Sequence, residues 1–311
     1  MRAIEDELEA VLALPRRRQP DGIRALLARL PPPPSSEAWN TRFGPSSLYD
    51  AWTQTTVARE VYRANAAVLA RALVDRGPGW TAVEVGGGDG RLWRLVGSLA
   101  QDLPAGRLVL IDPVPETAER VRDALPRGVT FEFHEGRVQD VRFPTAHAVV
   151  MSLVLHHVAG ADGAERARHG LTGPGKLEVL VRVADAIRPT GGLALLNEAD
   201  VHCDLELAPG EELLADRLID SYLRRCGRSI ARDLRERADA DDSLVARWRA
   251  ILRRWCLEQI AMAAVPIDQR DVYELDVPRW RALLDRAGLW IRRTTATDEY
   301  GLFFQYVLEA R

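Results

Sequence analysis

The chain has 311 residues, 47% of them hydrophobic and 28% charged, with a formal net charge of −3. That length and apolar share suit one core domain with sizeable additions and exclude a disordered chain. The slight acidic balance supplies no positive field to concentrate nucleic acid or an anionic membrane.

The first segment, "MRAIEDELEAVLAL", sets Ile4, Leu8, Val11 and Leu12 among acids. This is an amphipathic helix and lacks the basic start and unbroken apolar run of a signal peptide. Ile23, Leu26, Leu27 and Leu30 form a second stripe, and Val57, Val61, Ala64, Val68 and Ala72 a third. "PPPPSS" at 31–36 separates them as a stiff connector. Residues 1–76 therefore read as a helical region, serving as a lid or in dimerisation. From residue 80 the pattern changes, with strands expected near 80–85, 107–111, 129–133, 147–152 and 192–197 and helices near 90–102, 114–125 and 176–188. Alternating β and α elements imply an α/β fold with a mostly parallel sheet, whose ligands bind beyond the carboxyl ends of the strands. Residues 77–197 form this core. Residues 198–276 interrupt it with helices, including a stripe at Leu244, Trp248, Ile251, Leu252 and Trp255. Residues 277–311 close it with a helix from Pro278 to Gly288 and a hairpin turning at "DEYG". Cys203, Cys226 and Cys256 form no CxxC pair, which points to free thiols in a reducing compartment. With no run of about 18 apolar residues, the expectation is a soluble cytoplasmic protein.

"AVEVGGGDGRLW", residues 82–93, carries the first functional signal. A dinucleotide fingerprint needs glycine at its first, third and sixth positions, and counting from Gly86 the sixth is Arg91. The spacing that fits is Glu84, Gly86, Gly88 and Gly90 at alternate positions before a helix. Asp112 then ends the second strand in "RLVLIDPVPE", where an acid can accept hydrogen bonds from ribose hydroxyls. A nicotinamide enzyme places an acid similarly, so Asp112 alone leaves the choice open.

Together with "VMSLVLHHV" and "ADAIRPTGGLALLNEAD", these motifs resemble class I S-adenosylmethionine-dependent methyltransferases of the small-molecule, natural-product type. The resemblance covers about residues 80–200 and extends through the closing hairpin, and it implies a Rossmann-like seven-stranded mostly parallel sheet. It implies S-adenosyl-L-methionine as cofactor, with S-adenosyl-L-homocysteine as product. Glu84, Gly86, Gly88, Gly90, Asp112, Pro113, Val138, Gln139, Ser152 and Leu153 would hold it. Two positions depart from the family pattern. Arg137 in "EGRVQDVRF" replaces the acid that often receives the adenine amino group, leaving the Val138 amide with Gln139 or Asp140 as substitutes. His147 stands where an aspartate often opens the fourth strand.

Methyl transfer is an in-line displacement at a sulfonium, so positioning supplies much of the catalysis, and a base near neutral pKa suits loss of the acceptor's proton. The candidates are His156 and His157, then Glu198 and His202. Asn197, Glu198, Asp200, His202 and His156 could in principle form a mixed oxygen and nitrogen metal site. The acids and Asp-Asn pair of catechol-type relatives are absent, so no metal is expected. Tyr49 and Trp52 in "SSLYDAWTQ" are candidate substrate contacts. The expected function is methylation of a small organic acceptor in secondary metabolism, with oxygen first and nitrogen or carbon behind. Alternatives are methylation of a peptide or protein carboxylate or side chain, a non-methylating cofactor-binding or rearrangement protein of the same fold, and an NAD-dependent dehydrogenase. The expected partner is a small-molecule or peptide substrate, with no nucleic acid or membrane, and a homodimer is compatible with the helical additions.

Overall fold

The structure is a computed structural model. It describes residues 56–158, 174–199, 277–298, 301 and 303–311, together with residues 10, 13–15, 18, 21–22, 25 and 53. The stripes at Ile4 to Leu12 and Leu244 to Trp255, the proline connector, and candidates Tyr49, Trp52, Asp200 and His202 lie outside the described residues. Two compact units are present, one of residues 1–56 and 201–271 and one of residues 57–200 and 272–311. The second unit holds the sheet.

Its elements in chain order are α1 (Thr56–Arg76), β1 (Trp80–Val85), α2 (Arg91–Leu99), β2 (Gly106–Asp112), α3 (Pro115–Ala124) and β3 (Val129–Glu135). Next come β4 (Ala148–Ser152), a 3₁₀ turn (Leu155–His157), α4 (Pro174–Ile187), β5 (Leu193–Ala199), α5 (Val277–Arg286), β6 (Leu289–Ala296) and β7 (Phe303–Ala310). The sheet order is β3-β2-β1-β4-β5-β7-β6. The first five strands are parallel, and β7 enters antiparallel beside β5 and pairs with β6. The seven strands, helical crossovers and closing hairpin are the Rossmann-like arrangement expected from the sequence.

Strands β1 and β4 are buried along nearly their whole length, as are the later residues of β2. This is the condition of parallel strands covered on both faces, and it explains their continuous apolar runs. The order reverses direction between β1 and β4, so the carboxyl ends of these neighbours open a crevice where ligands bind in such sheets. Gly86, Asp112 and Ser152 all stand at that end.

Three expectations are corrected. The buried face of α1 runs through Ala58, Val61, Tyr62, Asn65, Ala66, Leu69, Ala70 and Leu73. Ala64, Val68 and Ala72 are only half-buried, so the face is turned by about one position from the predicted stripe. The larger Tyr62, Leu69 and Leu73 set its centre, and the polar Asn65 lies within it. α2 stops at Leu99 rather than 102, because Ala100 leaves helical geometry with φ −132° and ψ 81°. β5 continues through Ala199, since β7 pairs along it as far as Ala199 opposite Phe303. Glu198 therefore belongs to the strand with Asn197, and both are buried.

Candidate active site

The loop after β1 turns through three glycines with left-handed φ, 72° at Gly86, 56° at Gly88 and 75° at Gly90. Glycine adopts such angles without a Cβ penalty. At Gly90 a Cβ would stand 2.6 Å from the backbone oxygen of Arg120, and at Gly86 one would stand 2.6 Å from Val154 Cγ2. The first position lets α2 start against α3, and the second lets the loop meet the segment after β4. Packing thus explains two of the three glycines that sequence spacing assigned to the ligand.

Glu84 lies under this loop, 3% exposed, and accepts a 2.9 Å hydrogen bond from Trp93 Nε1. Trp93 is fully buried and stacks on Trp80, so Glu84 ties β1 to the helix that the loop begins. Desolvation pushes its carboxyl up to about 8; the Trp93 bond opposes the rise, and the charges of Asp112 and Asp89 add to it. Asp89 behaves oppositely. Burial works against its ionisation, but hydrogen bonds from Arg91 and the charges of Arg91 and Arg94 outweigh that and lower its pKa.

Asp112 ends β2 as the sequence indicated. Its Oδ2 accepts from the Gly87 amide at 3.1 Å and its Oδ1 from the Val114 amide at 2.8 Å, so it anchors the glycine loop to the neighbouring strand. Burial pushes its carboxyl up to about 6, against the lowering by these amides and by Thr117. With three of its roughly four acceptor sites taken, the carboxylate retains one for a ligand hydroxyl. Pro113 comes next, exposed, ahead of α3. Beyond β3, residues 137–140 form a turn closed by the Asp140 amide on the Arg137 carbonyl at 2.9 Å. Val138 is buried and Gln139 half-buried. Arg182 of α4, to which no sequence motif points, donates Nη1 to the carbonyls of Val138 at 3.4 Å and Val141 at 3.0 Å. That guanidinium holds the turn and its amides in place.

His147, the second departure, ties the entry to β4 to β1. Its Nδ1 accepts from the Thr81 amide at 2.9 Å, and its own amide donates to the Thr81 carbonyl at 2.7 Å. Partial burial and the Arg76 charge lower its pKa, in keeping with a ring nitrogen that must stay unprotonated to accept.

After β4 the chain makes a strained turn. Leu153 has φ 57°, a left-handed angle uncommon for a residue with a Cβ, and its amide donates to the Asn197 carbonyl at 2.8 Å. Glu198 of β5 supports this turn with both carboxylate oxygens. Oε1 accepts the Val154 amide at 3.0 Å and the Leu155 amide at 2.6 Å, while Oε2 meets His156 Nδ1 at 2.8 Å. Glu198 and His156, proposed separately from sequence, are therefore one unit. His157 packs its ring 4.2 Å from that of His156. Part of its surface is open, yet the protein around it is dense enough that desolvation, with the charges of His156 and Lys176, holds its pKa well below the ordinary value. Lys176, the sole lysine of the chain, is fully buried and donates Nζ to the Val158 carbonyl. It closes the far end of the histidine turn, a role for which its isolation in sequence gave no signal.

Ser152, Asn197 and Gln305 lie side by side on β4, β5 and β7. Directly paired residues share a face of the sheet, and Asn65 of α1 bridges the outer two. Its Nδ2 donates to Ser152 Oγ at 2.7 Å, and its Oδ1 accepts from Gln305 Nε2 at 2.8 Å. Asn197, between them and fully buried, has no hydrogen-bond partner among the described residues at either side-chain polar atom. An orphaned buried amide costs about 1–3 kcal/mol. Asn197→Leu, close in volume, is accordingly expected to raise the melting temperature of the ligand-free protein, read by calorimetry; a fall would show that the amide is satisfied.

Among the described residues no group of three or more His, Cys, Asp or Glu side chains could hold a metal ion, and no helix is long and apolar enough to cross a membrane.

Residues 83–175 match a family model described as a methyltransferase domain. No curated protein matches the chain in sequence. Among solved structures, similarity extends to magnesium protoporphyrin IX methyltransferase (ChlM) from Synechocystis PCC 6803 with bound SAH, at 14% identity and TM-score 0.48, over 89% of this chain and 100% of that one. It extends also to the mitomycin 7-O-methyltransferase MmcR, at 18% identity and TM-score 0.44, over 98% and 75%. A third is the N-methyltransferase NodS from Bradyrhizobium japonicum WM9, at 12% identity and TM-score 0.43, over 80% and 96%.

Proposed function

We propose, from the class I S-adenosylmethionine-dependent methyltransferase domain that this chain carries, that it methylates a small organic acceptor, with oxygen as the receiving atom. The glycine loop 86–90 and the carboxylate of Asp112 fit such a cofactor. The loop has no side chain at its three left-handed positions, and the carboxylate at the adjoining strand end keeps an acceptor site suited to a ribose hydroxyl. Pro113, the Val138 amide, Gln139, Ser152 and Leu153 complete the proposed cofactor contacts. When bound, the cofactor supplies an electrophilic methyl group on a sulfonium.

The observation that carries the acceptor side is the Glu198–His156 pair. A carboxylate on Nδ1 fixes the tautomer in which Nδ1 bears hydrogen, so Nε2 is the basic nitrogen. That atom takes the acceptor's proton as the new bond forms, and the developing imidazolium is stabilised by Glu198. The two backbone amides on the other oxygen of Glu198 keep the acid from turning away. His157 and His202 are secondary candidates, and Tyr49 and Trp52 the proposed acceptor contacts.

The test is calorimetric titration with S-adenosylmethionine, S-adenosylhomocysteine and NAD, repeated on Asp112→Ala. It is followed by mass analysis after incubation with labelled S-adenosylmethionine and a panel of hydroxylated aromatic acceptors. Binding of the first two ligands, lost in the variant, and a product heavier by one methyl are expected. Binding of NAD alone, or a product of unchanged mass, would overturn the proposal.

A further inference from the structure

Arg293, Gln305, Asn65 and Ser152 form a directed chain of hydrogen bonds whose direction is set at the far edge of the sheet. Arg293 on β6 donates Nη2 to Gln305 Oε1 at 3.4 Å. A guanidinium cannot accept a hydrogen bond, so Gln305 must present its oxygen to Arg293 and its Nε2 to Asn65. Asn65 then has no choice of orientation. Its Oδ1 receives Gln305 and its Nδ2 faces Ser152 Oγ. Ser152 Oγ thereby accepts from Asn65 through one lone pair, and its hydrogen becomes the terminal donor of the series.

Ser152 is 7% exposed, while Asn65 and Gln305 are 0% and 2%. It follows Met151, which pairs with Val85, so it stands beside Gly86 at the start of the glycine loop. The end of the chain of donors is thus the most exposed of these three, at the carboxyl end of β4. Hydrogen bonds in series polarise one another, and a low-dielectric interior strengthens the last of them.

We propose that the Ser152 hydroxyl donates to an acceptor atom of the bound cofactor, and that Asn65 and Gln305 are positioning residues that fix this direction. The inference rests on S-adenosylmethionine being the cofactor. Gln305 lies on β7, with β5 between it and β4, and needs no contact with the ligand to act.

The test reverses the chain. In Gln305→Glu both side-chain oxygens accept, one from Arg293 and one from Asn65. Asn65 then turns its amide, offers Oδ1 to Ser152, and draws the hydroxyl hydrogen away from the ligand. Affinity for S-adenosylhomocysteine, measured by calorimetry, is expected to fall about tenfold in Gln305→Glu and in Ser152→Ala, in line with one lost hydrogen bond. The double variant should be no weaker than Ser152→Ala alone, because both changes remove the same bond. A purely structural role would give losses that follow the melting temperatures and multiply in the double variant. Should Gln305→Glu fail to fold, Asn65→Asp serves the same purpose, since its carboxylate captures the Ser152 hydrogen while still accepting from Gln305. Wild-type affinity in the folded reversing variant, or multiplied losses, overturns the inference and leaves the cofactor assignment intact. If the wild-type protein itself fails to bind S-adenosylhomocysteine, both fall together.

Discussion

Replacing His156 by alanine is expected to lower the methyl-transfer rate constant by about 10²- to 10⁴-fold, the range for loss of a positioned base. Affinity for S-adenosylhomocysteine should stay nearly unchanged, because the imidazole acts on the acceptor. The more informative variant is Glu198→Gln. Its single side-chain oxygen can serve either the Val154 and Leu155 amides or His156 Nδ1, which Glu198 now serves together. If the oxygen stays with the amides, the new NH₂ group faces Nδ1 and demands that it accept. The hydrogen then moves to Nε2, and the ring presents a donor where a base is needed. Glu198→Gln should therefore cost nearly as much as His156→Ala, and the double variant little more than either. Single-turnover rates at saturating cofactor measure this, and full activity in both single variants would remove the pair from the mechanism.

Glu84→Gln should stabilise the protein in a pH-dependent way. The folded-state carboxyl is raised from 4.5 to about 8, first by desolvation, so the native state holds a proton that the unfolded chain has released. Below pH 4.5 both states are protonated and the site adds no dependence. As pH rises through the interval up to about 8, the unfolded state gains the advantage of ionising and the wild-type protein loses stability. Above that both are ionised and the loss levels off. Glutamine is neutral throughout and can still accept from Trp93 Nε1. The stability difference, Glu84→Gln minus wild type, should be near zero at pH 4.5 and reach a few kcal/mol, order of magnitude, at pH 8. Urea unfolding at three pH values tests it, and a difference that does not change with pH would mean that Glu84 is ionised in the native protein.

The alternating core was legible because its signals are local. Apolar runs gave β1, β2 and β4 their positions, and the helix after Pro278 ends as its glycine predicts. Glu84 was legible for the same reason, lying next to the loop it serves, and Asp112 because it ends the apolar run of β2, although the loop it anchors is 25 residues away. Asn65 was not. A periodicity count credits only apolar residues to a buried face, so a buried amide amid Val61, Ala66 and Leu69 shifted the predicted stripe. Gln305 reads as an ordinary strand residue until β7 pairs beside β5 and sets it opposite Asn197. Glu198 was singled out as a candidate base, but its hold on the turn after β4 depends on parallel pairing of strands about 40 residues apart, which no spacing reveals.

The place of β7 in the sheet also fixes when the enzyme can come into being during synthesis. Residues 303–310 are translated after the other six strands of the sheet, yet they pair with β5 on one side and β6 on the other. While they are still inside the ribosome, β5 has an unpaired, largely buried-type apolar edge, Leu195 and Leu196 among it, which is a template for joining another nascent chain. The bond from Gln305 to Asn65 spans 240 residues, among the longest loops this chain can close, and such closures come late in folding. Until β7 has emerged and paired, the nascent chain is in a state vulnerable to misassembly, and the buried polar series that ends at Ser152 is completed only then.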